Sequence, residues 1–133
     1  MQATMRPGAG SCDDRGVCPT VLIVDDHDGF RESARALLEA EGFAVVGDAA
    51  DGVSALAAVR RLQPDVVLLD IRLPDLDGFA VAELLAALDE PPRVVLISSR
   101  DAAAYGPRFD TAPVCGFLAK RDLSGASLAA LVG

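Results

Sequence analysis

A doubly wound α/β domain on a five-stranded parallel sheet is the fold class that this 133-residue sequence predicts. Three features carry the expectation. Five compact aliphatic runs do not alternate with polar residues, segments of helical period lie between them, and the runs recur about every 22 to 28 residues. Unbroken aliphatic runs are expected of strands covered on both faces, and repeated βα units assemble a parallel sheet through right-handed crossovers.

Residues 1–19 hold Pro7, Gly8, Gly10, Gly16 and Pro19 without apolar periodicity and read as a flexible N-terminal extension, with the domain proper over 20–133. The first run is Val21-Leu22-Ile23-Val24. After it, Phe30, Ala34, Leu37 and Leu38 fall at i, i+4, i+7 and i+8, one helical stripe facing a core, with Gly42 as its C-terminal stop. Ala44-Val45-Val46 is the second run; Asp51 then reads as an N-cap ahead of the stripe Val53, Leu56, Val59. Val66-Val67-Leu68-Leu69 leads to a stripe of Leu84, Leu85 and Leu88, and Val94-Val95-Leu96-Ile97 is the fourth run. Asp101 to Pro113 carries Gly106, Pro107 and Pro113, so the fourth helix is expected to be short, broken or displaced. Gly116-Phe117-Leu118-Ala119 is the fifth run, and Leu123 to Val132 the last helix.

Twelve Lys and Arg against 20 Asp and Glu leave a net charge of −8, which argues against a sequence-independent grip on nucleic acid. The charges of the first 19 residues cancel, so all of that excess lies in the domain. With 51% apolar residues and a mean hydropathy of +0.33 a buried core is expected. No run approaches the roughly 18 residues of a membrane span, and the N-terminus lacks a signal-peptide pattern, so a cytoplasmic location without membrane insertion is expected. Three cysteines make no disulfide framework: Cys12 and Cys18 lack partners for a zinc site, and Cys115, beside an apolar run, reads as core packing.

In an open parallel sheet, ligands bind beyond the carboxyl ends of the strands. The first run delivers Asp25 and Asp26 there, the third Asp70, the fourth Ser98 and Ser99, and the fifth Lys120. With the first and third strands adjacent, three carboxylates meet in one crevice, which is costly unless a cation joins them. Hard oxygen donors on short side chains suit Mg²⁺. A carboxylate beside that metal can attack phosphorus to form an aspartyl phosphate, with a hydroxyl and an ammonium completing the shell around the phosphoryl oxygens. Lys120 is the single lysine among twelve cations, which suggests that a compact ammonium rather than a guanidinium fork is wanted at its position.

With those residues in order, the sequence resembles the receiver domain of two-component response regulators. The matching features are Asp25-Asp26 after the first run, Asp70 after the third, the loop Leu73-Pro74-Asp75-Leu76-Asp77-Gly78 behind it, Ser98 ending the fourth run, and Lys120 ending the fifth. The resemblance covers 20 to about 132. It implies a flavodoxin-like (βα)5 fold with strand order 2-1-3-4-5. It further implies that Asp70 accepts a phosphoryl group from a partner histidine kinase or phosphotransfer protein. Mg²⁺ would be held by Asp26, Asp70 and the backbone carbonyl of Arg72, with Asp25 acting mainly through a metal-bound water. Lys120 and Ser98 would contact phosphoryl oxygens, and Phe117 matches the family's aromatic switch. The chemistry implied is that of a phosphorylated signalling domain, limited to taking up its own phosphoryl group and slowly losing it, rather than that of an enzyme. A homodimer is compatible with the resemblance. Departures are Arg121, where many members have proline after the lysine, and the Gly/Pro-laden stretch Tyr105 to Pro113 at the usual signalling face.

His27, the one histidine, is expected on the rim of the site at the start of the first helix. Arg72 and Arg100 either flank the phosphorylation site or are exposed solubilising charges. Two rival functions are weighed. An aspartyl-nucleophile phosphatase would want an acid two residues after its nucleophile, where Arg72 stands. A phosphorylation-independent interaction module would be expected to lack one of the acidic or lysine positions, and none is lacking. Only 13 residues follow Lys120, so output is expected to act in trans through a downstream protein.

Overall fold

A computed structural model describes residues 19–100 and 105–132; all but Pro19 of the expected flexible extension, with Cys12 and Cys18, and the segment 101–104 lie outside the described residues. The elements run β1 (Thr20–Val24), α1 (Asp28–Ala40), β2 (Ala44–Ala49), α2 (Gly52–Leu62), β3 (Val66–Asp70), α3 (Gly78–Ala86), β4 (Arg93–Ser98), α4 (Arg108–Thr111), β5 (Gly116–Ala119) and α5 (Gly125–Val132). All strand pairs are parallel, in the order β2-β1-β3-β4-β5. The doubly wound fold and its strand order are therefore as expected.

Alternate residues of each central strand supply two cores. Val21, Ile23, Val66, Leu68, Val95 and Ile97 pack with Ala34 and Leu38 of α1 and Leu128 and Val132 of α5. Leu22, Val24, Val67, Leu69 and Leu96 meet Ala55, Ala58 and Val59 of α2 and Val81, Ala82 and Leu85 of α3 on the other face. Burial of each such aliphatic side chain contributes on the order of 1.5–3 kcal/mol, so three doubly covered strands anchor the sheet. Functional side chains at the strand ends thus stand on the least deformable part of the molecule.

Several details depart from expectation. β2 is an edge strand whose Ala44 and Val46 are exposed, because a bulge opposite Val21/Leu22 turns Val46 out of the ladder. Val53 is 65% exposed and Leu84 49%, so the apolar faces of α2 and α3 centre instead on Ala55/Val59 and Val81/Leu85. The rotation of α2 is set at its start: Asp51 accepts from Ser54 N at 2.7 Å, and Asp75 accepts from Gly52 N and Val53 N at 2.7 and 3.0 Å. Those amides, Gly52's foremost, hold the Asp75 carboxyl below the usual range. Cys115 is exposed rather than a core residue, since it precedes β5 and only its backbone N joins Val94 O. α5 begins at Gly125, two residues later than expected, after Ser124 Oγ accepts from Ser127 N, whereas α4 is short as expected, with no buried residue.

One close approach ties α3 to the site. Gly78 N donates to Ile71 O, and a Cβ at Gly78 would stand 2.6 Å from Asp70 O and 2.7 Å from Ile71 Cα. Backbone cannot move aside as a flexible side chain can, so Gly78→Ala is expected to lose about 2 kcal/mol of stability in a denaturant titration. An unchanged midpoint would show that the α3 start is not pressed against β3.

Candidate functional site at the carboxyl edge of the sheet

Because every strand is parallel, the last residues of β1, β3, β4 and β5 reach the same edge. Asp25 follows β1 with its main chain pinned on both sides: its N donates to Ala49 O at 3.0 Å, and its O accepts from Arg31 Nη1 at 2.6 Å. Its side chain is wholly buried, with Oδ1 accepting from His27 N at 2.8 Å. Oδ2 lies 2.5 Å from Lys120 Nζ as an ion pair and carries no directional hydrogen bond. Asp70 closes β3, 4% exposed, with Oδ1 accepting from Arg72 N at 3.2 Å and Oδ2 at 3.5 Å from the same Lys120 ammonium. Lys120 leads the 3-10 turn after β5 and also lies 4.7 Å from the centre of the Phe30 ring.

Burial pushes the Asp70 carboxyl above the usual range, and the neighbouring Asp25 adds to this; the Arg72 amide and Lys120 pull the other way without cancelling it. One ammonium therefore serves two buried carboxylates. His27 Nδ1 lies 3.1 Å from both Asp25 Oδ1 and Asp26 Oδ1. One ligand atom from each of Asp25, Asp26, His27 and Asp70 falls within 4.8 Å of the others, a spacing that a single cation could span.

A cleft of about 420 Å³ opens over this cluster, lined by Asp26, Asp70, Arg72, Ser98 and Lys120 among others. Asp25 stands behind that lining, consistent with its full burial. Ser98 is buried at the end of β4, whereas Ser99 is exposed. Ser98 Oγ accepts from Arg100 N at 3.0 Å and is 2.6 Å from Tyr105 OH. Phe117 is not on the cleft: its ring packs edge-on against Phe109 at 5.2 Å, beside Phe79 and Tyr105. Asp77 caps α3 and meets Arg108 at 2.6 Å; burial works against its charge, but Arg108 and the Ala80 amide outweigh that and hold its carboxyl below the usual range. Arg108 also covers the Phe79 ring at 4.1 Å, so α4 is tied to the start of α3.

Two participants exceed the sequence reading. His27 stands on the rim at the start of α1 as expected, its side chain 71% exposed, and in addition brings Nδ1 into the acidic cluster, for which its only signal was its place directly after the acidic pair. Tyr105 had no signal beyond being the single tyrosine.

A parallel 2-1-3-4-5 sheet with an acidic cluster and a lysine at its carboxyl edge defines a doubly wound α/β domain with a strand-end acidic site. Comparison makes the class specific: the family model described as the response regulator receiver domain matches residues 21–130, and the chain belongs to that family of two-component systems. It is 42% identical over 101 residues, 75% of its length, to the "Probable transcriptional regulatory protein NarL" of Mycobacterium tuberculosis, of which the match covers 47%. The solved signal receiver domain of NarL from the same organism aligns with TM-score 0.74 at 38% identity, covering 86% of this chain and 92% of that one. A CheY chain from Borrelia burgdorferi, solved in a CheX-CheY-BeF3-Mg complex, aligns with TM-score 0.81 at 26% identity over 94% of this chain and 95% of its own. The chain spans about half the length of the curated relatives it matches.

Proposed function

We propose that this chain is the phosphoacceptor of a two-component phosphorelay, with Asp70 taking a phosphoryl group from a phosphohistidine on a partner kinase or phosphotransfer protein. The observation that carries this reading is a buried strand-end carboxylate, Asp70, that shares one lysine with a second buried carboxylate and opens on a cleft. Both carboxylates lie in a cluster whose negative charge exceeds what Lys120 can balance, which is the condition a divalent cation would relieve.

The donor set fits Mg²⁺: Asp26 and Asp70 offer carboxylate oxygens on the cleft and Asp25 a buried carboxylate behind them, and the backbone carbonyl of Arg72, a cleft-lining residue, would join them as the family resemblance implies. Bound there, the ion supplies charge neutralisation between the attacking carboxylate and the incoming phosphoryl oxygens. The solved CheY complex with BeF3 and Mg supports the assignment by analogy. An Asp70 carboxylate oxygen forms the bond to phosphorus as the bond from phosphorus to the donor imidazole nitrogen breaks; that nitrogen takes the bonding pair and leaves as neutral imidazole, whose other ring nitrogen carries the proton. Lys120 holds an equatorial oxygen by charge, and Ser98 donates its hydroxyl hydrogen to another. Phe117, in van der Waals connection with α4 through Phe109, carries the change outward to a protein target. No helix among the described residues is long and apolar enough to cross a membrane. We place the reaction in the cytoplasm, where kinases have ATP.

Incubation with acetyl phosphate and Mg²⁺ tests this reading. The protein is expected to gain the mass of one phosphoryl group, stable in acid and released by hydroxylamine, and to gain nothing when EDTA replaces Mg²⁺. Fast multiple turnover of a phosphate ester would instead favour a phosphatase.

A further inference from the structure

Ser98 has two hydrogen-bond partners, and one of them has no place in the mechanism above. A serine hydroxyl has one hydrogen to give and two lone pairs to fill. Arg100 N fills the first lone pair at 3.0 Å, and Tyr105 OH stands 2.6 Å away. A phenol is more acidic than an aliphatic alcohol, so the stable orientation has Tyr105 donating and Ser98 accepting. Both lone pairs are then used, and the remaining Ser98 hydrogen is left for the cleft that Ser98 lines together with Asp70 and Lys120.

The phenol is not free to swing away. Its ring packs against Phe79 at 6.1 Å and edge-on to Phe109 at 6.0 Å, and Phe109 in turn contacts Phe117 at 5.2 Å. A rotor that would otherwise sample three staggered positions is thereby confined to one before any phosphoryl group arrives.

We infer that Tyr105 is a positioning residue for phosphoryl transfer: its hydroxyl fixes the Ser98 rotor so that Ser98 donates to the phosphoryl group on Asp70. This rests on the phosphoacceptor reading above. Tyr105 touches neither substrate nor metal; it acts through Ser98, and its ring couples that hydroxyl to the aromatic cluster under α4.

A mutant cycle read by the initial rate of phosphorylation from acetyl phosphate with Mg²⁺ tests it. Tyr105→Phe keeps the ring and its contacts with Phe79 and Phe109 and removes one hydrogen bond, which is expected to slow the rate about fivefold to tenfold. Ser98→Ala is expected to slow it at least as much, and Ser98→Ala/Tyr105→Phe to be no slower than Ser98→Ala alone. A wild-type rate for Tyr105→Phe, or an equal further loss in the Ser98→Ala background, would overturn the inference. A second readout follows from composition: with no Trp and one Tyr, intrinsic emission reports Tyr105 directly. Beryllofluoride with Mg²⁺ is expected to change that emission in the wild type and not in Asp70→Asn, and a purely structural tyrosine would leave it unchanged. Absence of any adduct on the wild-type protein would overturn the phosphoacceptor reading and this inference together. An adduct that forms equally fast on Tyr105→Phe would overturn this inference alone.

Discussion

Lys120→Met is expected to lose about 3 kcal/mol of stability in metal-free buffer, a fall in Tm on the order of 10 °C. The lysine is 17% exposed at its side chain, and its Nζ is the one cation within salt-bridge distance of either Asp25 Oδ2, at 2.5 Å, or Asp70 Oδ2, at 3.5 Å, among the described residues. Methionine keeps the aliphatic stem against Phe30 but leaves two buried carboxylates with no counter-charge. Removing one partner of a buried pair costs more than the pair contributes, because the remaining charge has lost its water as well. Mg²⁺ is expected to shrink the deficit, since the ion would take over part of the neutralisation, whereas Arg60→Met on exposed α2 should change little with or without metal. Thermal melts with and without Mg²⁺ check this. A deficit that Mg²⁺ leaves untouched would mean that Lys120 serves packing rather than the charge balance of the cluster.

Asp70→Asn should move stability the other way while abolishing phosphorylation. Burial raises the Asp70 pKa in the folded state, so folding favours its protonated form. Such a group's stabilising contribution is complete below its unfolded pKa and is lost as pH rises through the folded value. The Asn variant is therefore expected to melt a few degrees above the metal-free wild type at neutral pH, with the difference vanishing in acid. Mg²⁺ at about 100 times its Kd is expected to stabilise the wild type by about 2.7 kcal/mol and the variant by much less. An Asn variant that is less stable than the wild type at neutral pH would show that the Asp70 carboxylate is well paired without metal. Equal stabilisation of both by Mg²⁺ would remove Asp70 from the metal site.

The contrast between β1 and β2 shows what the sequence makes legible. Both begin as aliphatic runs, yet Val21 to Val24 are wholly buried whereas Val46 is 37% exposed, because it is the extra residue of a bulge on an edge strand. A run of three aliphatics carries no information about sheet position, so coverage on both faces can be expected of it only in error. Val53 fails for a related reason: periodicity assigns it to the α2 stripe, but the Asp51 and Asp75 caps set the helix rotation and turn it outward. Cys115 stands beside β5, whose bounds are as expected, and adjacency to an aliphatic run does not decide whether a residue just outside the strand is covered.

At the site, Asp25, Asp70, Ser98 and Lys120 are legible because each stands directly after an aliphatic run, and Asp26 because it follows one residue later, where a parallel sheet gathers strand ends. His27 and Tyr105 depend on information that no run contains. His27 joins Asp25 and Asp26 through the trajectory of the first turn into α1. Tyr105 meets Ser98 seven residues away in sequence, in a stretch whose glycine and prolines leave no periodicity to read.

The central claim is that Asp70 is the phosphorylated residue, and locating the adduct tests it most directly. Protein labelled with acetyl phosphate and Mg²⁺ is reduced with borohydride, which converts an aspartyl phosphate to homoserine, and then digested and sequenced by mass spectrometry. Homoserine at position 70, and no adduct on Asp70→Asn, is the predicted result. Homoserine at position 25 or 26, or full labelling of Asp70→Asn, would contradict it.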